Sequence, residues 1–156
     1  MVTGGVYVER SNHRAVGTIA GGGYALAKAK QQAPEHLLLE ALGGALAGNL
    51  GARLPDVFDP PLHPGHRSLA HGIVPVAAAG RAAVNALDGW QAQLRAEASR
   101  RASLRQPAAT SFERFWQVLV EILCRLGAGA LAGLLAAYGS HVALDAFTPA
   151  SLPLLA

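Results

Sequence analysis

The apolar residues of this chain are mostly small or unbranched, and this composition restricts the fold more than any other feature of the sequence. The 156 residues include 32 alanines, 23 leucines and 18 glycines but only three isoleucines. Alanine and leucine have high helix propensities, whereas β-branched residues favour strands. The length is that of one ordinary domain. We therefore predict an all-α protein, a compact Ala/Gly-rich bundle of about four to six helices in a single domain, residues 1–156.

Charged residues are scarce in this chain. They make up 15% of the sequence, against about 25% in ordinary domains, while 51% of the residues are hydrophobic, which excludes a disordered protein. The net charge of +3 is too small to indicate a nucleic-acid partner. The single cysteine, Cys124, excludes an intramolecular disulfide and a Cys-rich zinc site. Histidines and carboxylates are therefore the remaining candidate metal ligands.

The spacing of apolar residues and the positions of prolines predict the first, second and last helices. Apolar and small residues recur at three and four positions over 13–30, which predicts the first helix. A proline in the first turn opens the second helix, predicted over 34–49. Four prolines forbid continuous helix over 54–65. The last helix is predicted over 111–146.

The middle of the chain is predicted to be less regular. A third helix is expected over 66–87, kinked near Pro75 and stopped by Gly89, and a more polar helical piece follows to Arg105. Arginines are concentrated in this part of the chain. We interpret residues 91–111 as a basic polar connector within the domain.

Glycines recur four residues apart on three of the predicted helices. Each glycine in a helix interior costs roughly 1 kcal/mol relative to alanine, and close approach between helix backbones offsets this cost. We therefore expect tight helix crossings at three pairs: Gly17/Gly21, Gly44/Gly48 and Gly129/Gly133.

No segment is a clean membrane span of about 20 uncharged apolar residues. The best candidate, residues 126–144, has no formal charge, but it contains His141 and runs into Asp145. Two interpretations stay open. The chain is either a soluble bundle or a bundle partly set into a membrane, where a polar residue at depth faces the protein interior and is functional. The polar start of the chain predicts no signal peptide.

Polar side chains that do not fit the apolar composition form two groups. His141 and Asp145 stand four positions apart on the last predicted helix, and this spacing places them on one face. Burying such groups is costly unless they are paired or bind a metal, and His with Asp is typical of catalytic zinc and also suits manganese or iron. The second group lies within residues 54–71 and consists of Asp56, Asp59, His63, His66, Arg67 and His71.

Two members of the second group present an open geometric problem. His66 and His71 are five positions apart and diverge by about 140° on a regular helix. They serve one site only if His66 lies at the frayed start of the helix or if two ions are present.

Three blocks of the sequence resemble the YdjM-like family of bacterial inner-membrane-associated proteins: LPDVFDP, HRSLAH and YGSHVALDAFTPASLPLL. The family is also labelled LexA-binding, and its members are described as metal-dependent hydrolases. The blocks occur in the family's order, and the resemblance covers residues 13–71 and 138–155. It implies a location at the bacterial inner membrane or its cytoplasmic face, the alternative being the cytoplasm. It also implies that six residues occupy the family's metal-site positions: His13, Asp56, His66, His71, His141 and Asp145.

The chain departs from the family pattern at four positions. Phe58 stands where the family has a second Asp, and Asp59 follows one residue later. Ser68, Ala70 and Gly72 replace Gly, Thr and Ser of the family's His-Arg block. The hydroxyls missing at 70 and 72 would otherwise support the metal ligands by hydrogen bonding.

A weaker likeness, in ligand spacing alone, connects the chain to helical zinc phospholipases C and P1-type nucleases. It favours phosphoester hydrolysis as the reaction class. We expect Arg67 either to clamp a phosphate or to pair with Asp56 or Asp59. Asp59 or His63 is the candidate for relaying a proton.

Two functional hypotheses follow from the sequence. The first is a membrane-associated, metal-dependent hydrolase that acts on a small-molecule or lipid ester or phosphoester through a water on a divalent ion, zinc before manganese or iron. The alternative is a noncatalytic membrane-binding or partner-binding helical module in which the His and Asp residues fix the packing of the helices.

Overall fold

A computed structural model of the protein describes residues 10–54, 57, 73–107 and 110–146. This part of the chain forms four helices and contains no strand, so the predicted all-α helical bundle is confirmed. The helices are α1 (Arg10–Lys28), α2 (Pro34–Gly51), α3 (Ile73–Leu104) and α4 (Ser111–Ala146).

The N-terminal starts of α2 and α4 follow local sequence signals. Pro34 occupies the first turn of α2, where its missing N–H is not needed. At the start of α4, the backbone N–H of Glu113 donates to Thr110 Oγ1 at 3.1 Å, and the N–H of Thr110 donates to Glu113 Oε2 at 2.8 Å. This reciprocal capping box fixes the first turn of α4.

The third helix differs from its prediction. The stop expected at Gly89 is wrong, because α3 is one helix that passes through Gly89. Residues 66–72 of the predicted third helix lie outside the described residues, so the kink near Pro75 stays a prediction. The cost of one interior glycine is only about 1 kcal/mol, so Gly89 does not end the helix. Residues 91–104 of the segment interpreted as a connector belong to α3, and Gln91 and Ala98 within it are buried.

Helices α1, α2 and α4 pack against one another as a three-helix core, and α3 packs mainly along α4. The α1 helix runs antiparallel to the other two, since Gly17 faces Gly48 and Gly21 faces both Gly44 and Gly133. This arrangement brings the N-terminal end of α1 to the C-terminal ends of α2 and α4.

The glycine pairs lie where the helices cross, as predicted. A Cβ built on Gly17 would lie 2.7 Å from the carbonyl oxygen of Gly48, and Cβ atoms on Gly129 and Gly133 would overlap the backbone of α2 at Glu40 and Gly44. Real Cβ contacts are not this short, so glycine is required at these positions for the helix backbones to touch.

One helix of the described residues, α4 over Ser111–Asp145, is long and apolar enough to cross a membrane by length and composition. The core helix of a soluble protein passes the same test. The described structure is therefore compatible with a membrane location and with a cytoplasmic one.

Candidate metal centre

Three polar side chains from opposite ends of the sequence meet at one end of the three-helix core. His13 lies in the first turns of α1, while His141 and Asp145 lie one turn apart near the end of α4. All three are buried, with exposed fractions of 8% for His13, 1% for His141 and 3% for Asp145. The antiparallel packing of α1 on α4 is what brings His13 to this pair.

The carboxylate of Asp145 contacts the Nε2 atoms of both imidazoles. His141 Nε2 is 3.3 Å from Asp145 Oδ2, and His13 Nε2 is 3.7 Å from Asp145 Oδ1. The two imidazole rings stack with their centroids 4.2 Å apart and their planes 28° apart. One ligand atom from each residue can be chosen so that all three lie within 4.8 Å of one another.

The end of α2 orients His141. The Nδ1 atom of His141 lies 2.5 Å from the carbonyl oxygen of Ala52, in the C-cap of α2. Since a carbonyl only accepts, Nδ1 carries the hydrogen, and in the neutral ring Nε2 holds the lone pair on the side of Asp145. A backbone carbonyl on the far nitrogen is the usual support of a metal-ligating histidine.

The donor set fits a divalent metal ion. Zinc binds His nitrogens and Asp oxygens at about 2.0–2.2 Å, so two ligands of a tetrahedral ion stand about 3.3–3.5 Å apart. The separations of Asp145 from His141 and His13, 3.3 and 3.7 Å, are close to this edge length. The negative end of the α2 dipole at Ala52 also favours a cation at this place.

Of the nine residues predicted for the site, these three are the ones that the structure describes, and it brings them together. The remaining six lie outside the described residues: Asp56, Asp59, His63, His66, Arg67 and His71. Their roles as ligands, proton relay and phosphate clamp stay predictions.

Glu40, a residue that none of the sequence-based predictions included, forms a buried ion pair between α2 and α3. Glu40 is fully buried, and Arg95 of α3 donates to its carboxylate from Nε at 2.9 Å and from Nη2 at 2.5 Å. One turn before Arg95, the side-chain amide of Gln91 donates to the carbonyl of Ala128 at 2.8 Å. These bonds attach the arginine-rich half of α3 to the core.

A second buried acid lies nearer the start of α4. The carboxylate of Glu121 contacts Arg105, His36 at 3.3 Å and Arg125 at 3.5 Å. Arg125 also donates from Nη1 to Gln32 Oε1 at 3.2 Å. The spacing of Glu121 and Arg125, four positions apart in an apolar helix, is the sequence signal that points to this group.

A partly exposed ion-pair cluster lies on α3, and its Arg101 also donates to Gln117 of α4 at 3.3 Å. Glu97 accepts hydrogen bonds from Arg100 at 2.6 and 2.7 Å and from Arg101 at 2.5 Å. The hydrogen bond from Arg100, followed by that from Arg101, lowers the pKa of Glu97 from 4.5 to about 2. Because water screens the charges of this partly exposed cluster, the ion pairs add little to stability.

No protein-family model matches the chain, and comparisons with curated proteins and with solved structures give no significant match. The resemblance to the YdjM-like family therefore depends on the three sequence blocks alone.

Proposed function

We propose that this protein is a membrane-associated, metal-dependent hydrolase of the YdjM-like kind, located at the bacterial inner membrane or its cytoplasmic face. Its substrate class is a small-molecule or lipid ester, with a phosphoester preferred. The observation that carries the proposal is the buried group of His13, His141 and Asp145, whose donor atoms have separations that fit one divalent ion.

The chemistry of the group supports a catalytic use. Two histidines and one carboxylate are three protein ligands, and catalytic zinc sites typically have three and leave the fourth position to water. A divalent ion held here would supply a bound water of pKa about 7, a nucleophile for ester hydrolysis at neutral pH. Zinc is the first choice for this donor set, and manganese or iron are the alternatives.

Each described residue has a definite task in this proposal. His141 presents Nε2 to the ion because Ala52 holds its Nδ1–H. Asp145 supplies the negative charge that neutralises part of the cation, and His13 connects the start of α1 to the same ion. Outside the described residues, Asp59 or His63 would relay the proton, and Arg67 would bind the phosphate.

The test begins with metal analysis of the full chain purified without chelator. We expect loss of metal in His141→Ala and Asp145→Asn. The wild type and the control variant His36→Ala, which removes a histidine remote from the centre, should both contain bound divalent metal. A metal-free wild type whose melting temperature does not change on chelation would contradict the proposal.

Activity is tested next, by screening phosphodiesters and phospholipids with the metal-loaded chain. We expect hydrolysis that disappears on chelation, returns on addition of metal and is absent in Asp145→Asn.

The near-complete burial of His141 and Asp145 favours a second candidate function, in which the centre is structural. A structural ion has no open coordination position. In that case the protein is a noncatalytic membrane-binding or partner-binding module. Bound metal, a lower melting temperature in His141→Ala and no hydrolysis of any substrate class would favour this alternative.

A further inference from the structure

We propose that the outer face of α1 and α2 is the surface that contacts the acyl chains of a lipid bilayer. This leucine face consists of the exposed side chains of Val16, Ile19, Leu26, Leu38, Leu42, Leu46 and Leu50. The inference depends on the membrane association proposed above and is independent of the metal chemistry.

The distribution of side chains on α2 is the reverse of that in a water-soluble helix. Its buried positions carry small residues and one charged residue: Glu40, Gly43, Gly44, Ala47, Gly48 and Gly51. Its leucines at every fourth position point outward, with exposed fractions from 52% for Leu42 to 71% for Leu38. In water, leucines face the core of an amphipathic helix, whereas small residues at helix contacts and polar groups in the interior are typical of helices packed in lipid.

The leucine face is free of exposed charge along most of its length. Between Arg14 and Lys28, α1 contains no charged residue, and this interval of 13 residues spans about 20 Å. On α2, Glu40 is the one charged residue between His36 and Arg53, and it is fully buried against Arg95. The α2 interval measures about 24 Å, a large part of the roughly 30 Å of a bilayer hydrocarbon core.

Cationic side chains border this face at both ends. Arg14 and Arg53 lie at the end near the candidate metal centre. Lys30 and the exposed Glu35 lie at the other end, where Lys28 forms an ion pair with Asp88 of α3 at 2.7 Å. Long basic side chains at the edges of an apolar band reach the headgroup level and are attracted by anionic lipids. By contrast, the exposed residues near the middle of α3 include the polar Arg81 and Asn85, with Trp90 as an exposed apolar residue nearby.

These features favour lipid over a second copy of the chain as the occupant of the face. A protein interface has a buried centre with a polar rim on every side, whereas the leucine face extends across two helices as one uncharged band between two cationic borders. A band of this form matches the layered polarity of a bilayer.

The experiment compares two labelled positions in the full chain. In a Cys124→Ala background, which removes the native cysteine, Leu42→Cys and Leu46→Cys place an environment-sensitive fluorophore on the leucine face, and the matched control Ala86→Cys places it on the exposed side of α3. Vesicles are made of phosphatidylcholine, with or without phosphatidylglycerol, and with brominated acyl chains for quenching.

We expect a blue shift and loss of most of the fluorescence in brominated vesicles for the labels at 42 and 46, with little change at 86, and tighter binding when phosphatidylglycerol is present. Vesicle binding with the response at 86 instead would overturn the assigned face but leave membrane association intact. No vesicle binding at all would overturn both. Efficient disulfide cross-linking of Leu42→Cys chains with no lipid response would assign the face to a second copy. Metal content is measured on the same samples, so loss of the metal centre is recognised separately.

Discussion

Replacing Gly129 by alanine tests the tight crossing of α2 and α4 on which the arrangement of the core depends. A Cβ at Gly129 would overlap the carbonyl oxygen of Glu40 and would lie 2.7 Å from the Cα atom of the same residue. Carbon atoms in ordinary contact are about 3.5–4.0 Å apart, so the two helices would have to separate by about 1 Å. Both sides of this contact are backbone, so no side-chain rotation relieves it.

The expected change in the free energy of unfolding combines two opposing effects. Alanine favours the helix by about 1 kcal/mol relative to glycine. Overpacking costs about 1–3 kcal/mol or more, and we expect the upper end because the backbone itself must move. The net destabilisation is then about 2 kcal/mol or more, which lowers the melting temperature of a chain of this length by about 4–8 °C.

Gly89→Ala is the matched control, since a Cβ at this interior position of α3 meets nothing within 4 Å. The same helix propensity acts there without a clash, so its melting temperature should rise by about 2–4 °C. Both variants are melted by circular dichroism in the same buffer or detergent as the wild type. If Gly129→Ala proves as stable as Gly89→Ala, the close approach of α2 and α4 at Glu40 does not exist.

Two further predictions concern ion pairs. Glu40→Leu should lower the free energy of unfolding by about 3–5 kcal/mol because it leaves Arg95 without its buried partner. The double variant with Arg95→Met should recover much of this loss. Urea denaturation measures both variants, and a single variant as stable as the wild type would disprove the pair. The side-chain carboxyl of Glu97, followed by NMR, should titrate at about 2, and Arg100→Ala should raise this pKa. Because folding lowers the pKa of Glu97, its small contribution to stability is complete above about pH 4.5 and is lost as the pH falls towards 2. A pKa of Glu97 near 4.5 in the wild type would contradict the hydrogen bonds from Arg100 and Arg101.

Much of the fold could be read from local features of the sequence. The excess of alanine and leucine gave the helical class, and the glycine pairs gave the sites of close crossing. The start of α4 at Ser111 agrees with the prediction over 111–146, and the helix continues to Ala146, the last described residue. Such features depend on residues within a few positions of one another, which propensity and periodicity describe well.

The course of α3 could not be read in this way. Gly89 indicated a helix stop, and the run of arginines indicated a connector. In the structure, Arg95 instead donates hydrogen bonds to the buried carboxylate of Glu40 on α2. A glycine weakens a helix by only about 1 kcal/mol, and contacts to the rest of the protein exceed this easily.

One half of the candidate site follows from local spacing along α4, and the other half depends on how the helices pack. The spacing of four residues places His141 and Asp145 on one face of α4 because the helix repeats every 3.6 residues. Only the antiparallel packing of α1 on α4 decided that His13 lies 3.7 Å from Asp145, and only the end of α2 supplies the Ala52 carbonyl that orients His141. Which faces of distant segments meet depends on how all the helices pack together, and glycines that let the backbones touch set that packing here.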